Sequence, residues 1–597
     1  MKGWVGKILR VNLTNKTTKT EDLNQSLAKD YIGGRGLASK ILLDEVDPKI
    51  DGLSSENKLI FITGPLTGTG APCGARFMVV TKSPLTESIA CSNSGGYWGP
   101  ELKSAGYDGI IIEGKSDKPV YLWIKNDIVE IKEASGVWGK DVHQTDDILR
   151  KETDQKARVA CIGPAGEKLV LIAAIMNDRN RSAARSGVGA VMGSKNLKAI
   201  VVRGTKGFEV ADGFRNKNIE ISNLFAGDLA KGYGILGTTM AVDICNQVGI
   251  LPANNFRESI FAGAANISGQ AIRKNILIRK RSCHGCVLGC GRVTKVVDPD
   301  FAGMGEGPEY ETVYAFGSTC MIDNLSAVAK ANYICNEMGM DSISMGVTIA
   351  CAMELFEKGF ITEKEVVMDL SFGNAKAMVE MVKKTGMREG FGDKLAEGSF
   401  RLASRYGHPE FSMTSKKQEI SAYDPRGSKG MALTYATNPR GGDHTRGATV
   451  FPEIFGIPKK VKSKAIEGKA EIAKELQDLG AANDSNGVCM FATVVVNHEP
   501  FVQLLNAATG LNFTLRDYQL SGERTWNVER LFNVRAGLKR EADSIPKRLL
   551  EEPVPEGPTK GEVAVLEPML EEYYRLRGWD KDGVPTQEKL KELGIVK

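Results

Sequence analysis

The sequence predicts an α+β protein: a β-rich N-terminal base domain, then mainly α-helical sequence. Short β-branched runs bounded by Gly, Pro or charge recur through the first 210 residues or so. Beyond that point the apolar residues switch to helical spacing. A C-x2-C-x3-C stretch then places a candidate soft-metal site inside the helical part.

The strand candidates are Leu59–Thr63, Phe77–Thr81, Gly109–Glu113, Val120–Ile124 and Ala199–Arg203. Between them lie three glycine-rich loops, Gly64–Gly70, Asn93–Gly99 and Arg181–Gly189. Such loops expose backbone N–H groups that can cradle phosphates. One alone reads as turn chemistry. Three in one domain, with Arg76, Arg181 and Arg185 close in sequence, point to a ligand with several polar edges.

Helical spacing runs through Ser326–Met338 and stops at Gly339. Gly346–Lys358, Ala375–Lys384, residues 464–480, residues 516–541 and Leu566–Leu576 read the same way. No low-complexity tract or long linker is present, so the domains are expected to share one interior.

At 597 residues the chain exceeds one core and requires two to four domains. Seventy-eight basic against 73 acidic residues leave a formal charge of +5, too weak to argue for nucleic acid. No apolar run is long enough to cross a bilayer. The charged opening Met1–Arg10 lacks an apolar signal core, so a cytoplasmic location is expected. The 11 cysteines are scattered and read as reduced thiols rather than a disulfide framework.

In Arg281-Ser-Cys-His-Gly-Cys-Val-Leu-Gly-Cys-Gly-Arg292, thiolates Cys283, Cys286 and Cys290 can converge on one soft metal centre. A cubane iron–sulfur cluster takes four. Cys489 is the candidate fourth ligand. A structural zinc knot fits the spacing as well. Asn336-Glu-Met-Gly-Met-Asp341 and Asp484-Ser-Asn-Gly-Val-Cys489 echo each other at the ends of two helical runs. A short polar side chain, a glycine and an apolar residue suit a flat heterocycle approaching a helix end.

Several stretches together resemble the tungsten-dependent aldehyde:ferredoxin oxidoreductases. They are Gly6–Leu13, Ala90–Tyr97, Ala173–Asp178, Gly187–Ala199, the cysteine stretch, Gly307–Glu311, Arg388–Gly398 and Ala422–Arg426. The resemblance implies three domains, here 1–210, 211–412 and 413–597, with the cofactor at their interface. It implies a tungsten bis-pterin, a Mg2+ bridging the pterin phosphates, and one [4Fe-4S] cluster held by Cys283, Cys286, Cys290 and Cys489. It carries pterin contacts onto Arg76, Asn93, Gly95, Arg181, Ser182, Ala184 and Arg185 of the base domain. From the two echoing motifs and their surroundings it adds Asn336, Met340, Asp341, Arg446, Asp484, Val488 and Met490. Glu311 and His444 match its acid–base residues.

The implied activity is oxidation of aliphatic and aromatic aldehydes to carboxylic acids. Electrons leave to ferredoxin or a ferredoxin-like subunit, with a flavoprotein subunit as a further partner. An aryl-CoA reductase subunit is the alternative within the superfamily, and a zinc-stapled scaffold the alternative outside it. Arg279–Arg281 forms a basic rim suited to an acidic partner. Of the remaining histidines, His284 caps a turn, His143 and His408 read as surface residues, and His498 follows an apolar strand-like run.

The sequence departs from the family at Asn336, usually aspartate, and at Arg446, usually lysine. Lys330-Ala-Asn-Tyr333 stands where thermophilic members carry a metal-binding Glu-x-x-His, and Val379 replaces a further histidine. A homo- or hetero-oligomer without a metal-bridged dimer interface is therefore expected.

Overall fold

The computed structural model describes residues 1–596. Twelve strands lie in the first 203 residues. They are β1 (Lys7–Asn12), β2 (Thr17–Asp22), β3 (Leu59–Thr63), β4 (Phe77–Lys82), β5 (Ile89–Ser94), β6 (Gly109–Glu113), β7 (Val120–Lys125), β8 (Ile128–Glu133), β9 (Arg158–Cys161), β10 (Ile175–Asn177), β11 (Arg181–Ala183) and β12 (Leu197–Arg203). They form two six-stranded sheets, in the orders β2-β1-β6-β3-β4-β5 and β11-β10-β9-β12-β7-β8. Pairing is antiparallel except for β1 with β6 and β7 with β12.

The period of two along each strand explains how the sheets pack. Leu59, Phe61, Phe77 and Val79 point into a core shared with Leu122, Ile124, Ile200 and Val202 of the second sheet. Trp98 fills it, 4.7 Å from the Phe77 ring. The alternate residues Ile60, Ile62, Met78 and Val80 face helices on the other side. With both faces covered, β3 and β4 are buried along their whole length, so their sequences read as unbroken apolar runs.

The helical remainder has one dominant core. It joins Tyr314, Val328 and Ile349 to Tyr435, Trp526 and Tyr573 and takes in Leu85, Val170 and Ile172 of the first 210 residues, whose sheets otherwise pack around cores of their own, so the interior is shared only in part. The Leu325–Met338 helix stops at left-handed Gly339, as its spacing predicts.

Sequence periodicity missed a three-stranded sheet of β13 (Leu277–Arg281), β14 (Gly291–Val296) and β15 (Gly303–Glu306). It also misread the run before His498: Met490–Val496 is a helix. The run begins where the Cys489 N–H is tied to the Cys73 carbonyl, and Phe491 packs on Tyr233, so tertiary contacts override β-propensity there. His143 and His408 are half-buried rather than surface residues, bonded to Asn180 and Glu410. Tyr333 is buried, with its hydroxyl 2.7 Å from Thr294, and Lys330 donates to the Ala302 carbonyl. No helix among the described residues is long and apolar enough to cross a membrane.

Candidate functional site

The three clustered cysteines occupy the loop of the β13–β14 hairpin, whose last pair is Arg281 with Gly291. Gly285 and Gly289 have φ of 61° and 63°, which let the loop coil tightly. The base domain pins it: the His284 N–H donates to the Gly96 carbonyl (3.1 Å) and the Cys73 N–H to the Gly285 carbonyl (3.2 Å). Gly95 is required for the close approach, because a Cβ there would stand 2.9 Å from the Cys283 sulfur.

Cys489 arrives from the opposite direction. The Lys469–Asn486 helix ends at Gly487 with φ of 84°, and the chain turns to deliver the sulfur beside Arg76. Arg76 Nη2 donates to Cys489 Sγ at 3.0 Å, and Nη1 to Asn93 Oδ1 at 2.9 Å. Asn93 in turn donates to Asp484. Burial works against the Arg76 charge, but the Cys489, Cys283 and Cys290 sulfurs outweigh it and hold the guanidinium protonated. One buried arginine thus sits among three of the four expected ligand sulfurs, and Cys286 and Cys290 both act on Cys489 or are acted on by it.

Among the described residues, no three His, Cys, Asp or Glu side chains are gathered closely enough to hold a single metal ion.

Arg76, Gly95, Arg181, Ser182, Cys283, Cys290, Asn336, Glu311 and His444 all line one cavity of about 310 Å3. Asn93, Arg185, Asp341, Arg446 and Asp484 stand behind this wall. Arg185 donates to Asp341 (3.1 Å) and to the Glu419 carbonyl (2.6 Å). Asp341 also caps the helix that begins at Ser342. Arg446 donates to the Cys91 carbonyl and approaches Asp443 and Asp484, both at 3.5 Å. Asn336 donates to the Glu306 carbonyl (3.0 Å), so the amide in place of aspartate is already engaged. Met340 and Val488 are core residues and Ala184 is half-buried against the outer core of the second sheet. Met490 lines a second cavity, of about 870 Å3. Leu229, Phe451, Ile457 and Val494 are common to the walls of both.

Glu311 and His444 meet at the cavity. His444 Nε2 is 3.5 Å from Glu311 Oε1, and the Ala422 N–H donates to Glu311 Oε2 at 3.1 Å. Burial lifts the Glu311 carboxyl to about 8 and lowers the His444 imidazole to about 4. His444 Nδ1 lies 3.0 Å from Ser421 Oγ. Arg185 donates to that same oxygen at 3.5 Å, and Asp443 Oδ1 lies 3.9 Å from Nδ1, so Nδ1 faces Ser421 and Asp443 while Nε2 faces Glu311 and the cavity.

Sequence reasoning missed Glu306, which pairs with Arg181 and Arg281, and Ser421, Asp443 and Tyr423, which surround His444. Asp443 was within reach, since it directly precedes His444. Ser421 and Glu306 carry no local signal.

The residues present fit a large polar cofactor. Buried Ser182 Oγ and Glu311 Oε1 have no hydrogen-bond partner. Unpaired buried polar atoms are costly unless a ligand meets them.

A sulfur-lined redox wall facing a buried acid–base pair, set between a β-rich base and a helical cap, defines an oxidoreductase. Comparison with known proteins is specific. Residues 8–204 match the family model "Aldehyde ferredoxin oxidoreductase, N-terminal domain", and residues 217–595 match "Aldehyde ferredoxin oxidoreductase, domains 2 & 3". The chain belongs to the aldehyde ferredoxin oxidoreductase family. It is 49% identical to the tungsten-containing aldehyde ferredoxin oxidoreductase of Pyrococcus furiosus, over 100% of both chains. It is 48% identical to that of Thermococcus kodakarensis, again over 100% of both. Among solved structures it resembles the active site complex BamBC of benzoyl coenzyme A reductase. That likeness has a TM-score of 0.85 at 27% identity, covering 100% of this chain and 97% of the other.

Proposed function

We propose that this chain oxidises aldehydes to carboxylic acids: R–CHO + H2O gives R–COOH + 2 H+ + 2 e−. The observation that carries the reading is Arg76, which joins the Cys489 sulfur to Asn93 at the cavity wall that Glu311 and His444 also line. The first four sulfurs named above would hold a [4Fe-4S] cluster, and the two echoing helix ends with Arg181, Arg185 and Arg446 would hold a tungsten bis-pterin. When bound, that cofactor supplies Lewis acidity and an acceptor for the electron pair.

The chain's own residues do the rest. His444 donates from Nε2 to the carbonyl oxygen and stabilises its growing charge. Ser421 and Asp443 flank its Nδ1 and orient the ring so that Nε2 points into the cavity. Glu311, when ionised, takes the proton of the attacking water. The second cavity is walled largely by apolar side chains, among them Leu476, Leu479, Val494 and Val496, and admits the apolar tail of an aliphatic or aromatic aldehyde.

Electrons leave one at a time towards ferredoxin or a ferredoxin-like subunit. Exposed Arg279 and Lys280, flanked by exposed Ile278 and Val287, lie on the hairpin that carries the cluster ligands and offer an acidic partner both charge and apolar contact. This reading is tested on the purified holoenzyme by metal analysis, benzaldehyde oxidation with ferredoxin as acceptor, and reduction of the corresponding aryl-CoA thioester. Tungsten, iron and sulfide together with aldehyde oxidation are expected. Zinc alone, or thioester reduction without aldehyde oxidation, overturns it.

A further inference from the structure

A fifth cysteine stands against the proposed cluster ligands. Cys73 lies in the loop between β3 and β4, and its sulfur is 3.7 Å from Cys286 Sγ. Its thiol is 2% exposed. Its backbone is held by both ligand segments: its N–H donates to the Gly285 carbonyl (3.2 Å), and its carbonyl accepts from the Cys489 N–H (3.1 Å). It adopts this place with φ of 60°, in the left-handed region that side chains rarely enter. The thiol is thus fixed on Cys286 by the same bonds that position two of the ligands.

A sulfur–sulfur gap of 3.7 Å is far beyond a disulfide and within reach of an S–H···S hydrogen bond. When Cys286 serves as a thiolate ligand, it has no proton to give. Cys73 is then the donor. We propose that Cys73 is a tuning residue that donates an S–H···S hydrogen bond to the Cys286 ligand sulfur and raises the reduction potential of the cluster. A donor at a ligand sulfur stabilises the more negative, reduced cluster more than the oxidised one. Nothing is oxidised or transferred at Cys73 itself, so the step needs no further reagent. The inference rests on the ligand assignment proposed above and concerns how readily the cluster accepts an electron.

The test is an EPR-monitored redox titration of the holoenzyme and of its Cys73→Ala, Cys73→Ser and Cys286→Ala variants, with iron measured in each. In Cys73→Ala the iron content is expected to hold. The reduced-to-oxidised ratio at the parental midpoint should fall about threefold, which is about 28 mV for a one-electron couple. Cys73→Ser keeps a donor and should titrate above Cys73→Ala. One exchangeable proton coupling should vanish from the cluster spectrum of Cys73→Ala and be replaced by a hydroxyl coupling in Cys73→Ser. An unchanged midpoint with full iron overturns the proposal and leaves the enzyme assignment standing. Loss of iron in Cys73→Ala with retention in Cys286→Ala makes Cys73 a ligand and also overturns it. Absence of a cluster from the parent enzyme overturns the ligand assignment itself.

Discussion

Glu311→Gln tests the acid–base assignment most directly, because the structure sets both the direction and the size of the effect. Burial holds the Glu311 carboxyl at about 8 against an ordinary value of 4.5. A base must be ionised, so about a tenth of the enzyme is competent at pH 7 and about nine-tenths at pH 9. The parent kcat/KM for an aldehyde should therefore climb about tenfold between those pH values. The amide cannot take a proton, so Glu311→Gln should lose about 10²–10⁴-fold at pH 9 and lose the pH-dependent limb with it. Its tungsten and iron contents should match the parent.

Stability supplies an independent readout of the same group. A carboxyl whose folded value is raised contributes stability fully present below pH 4.5 and lost as pH rises through about 8. The span of about 3.5 pH units at about 1.36 kcal/mol each corresponds to about 5 kcal/mol. Glu311→Gln removes that loss, so its Tm should exceed the parent's above pH 8 and not below pH 4.5. A variant that keeps the parental pH limb, or full turnover at pH 9, refutes the role given to Glu311.

Three further outcomes follow from the same geometry. Cys489→Ser should lose cluster iron and electron transfer to ferredoxin while the fold persists by circular dichroism; full iron would remove Cys489 from the ligand set. Val494→Trp, at the wall common to both cavities, should cut kcat/KM for bulky aromatic aldehydes about tenfold and spare acetaldehyde; an equal loss for both would place the substrate path elsewhere. Reversing charge at Arg279 and Lys280 should slow electron transfer to an acidic ferredoxin at low salt and flatten its ionic-strength dependence, with dye-coupled turnover unchanged; a parental salt response would move the docking face off this hairpin.

The sequence carried the five candidate strands and the Leu325–Met338 helix because each is decided by local period and stop signals. It carried the cysteine loop because spacing is a local property too. What it could not carry is closure. Cys489 is separated from Cys290 by most of the helical sequence, and only the turn at Gly487 shows that its sulfur ends beside Arg76. Resemblance supplied Glu311 and His444, but not their neutral pairing, which comes from burial among residues scattered from 185 to 444. Met490–Val496 was misread because its Val-rich composition speaks for a strand while its contacts demand a helix.

The division of labour between the layers follows from electrostatics. The base domain brings the buried cations Arg76, Arg181 and Arg185, and the helical cap brings Glu306 to Arg181 and Asp341 to Arg185. Arg76 differs, because its electrostatic partners are sulfurs. That environment suits the cluster proposed above, which would hold these sulfurs as thiolate ligands beside the Arg76 charge. Arg76 cannot move without disturbing Asn93 and Asp484, so the Cys489 sulfur and the Asp484 helix end are tied together through one chain of hydrogen bonds.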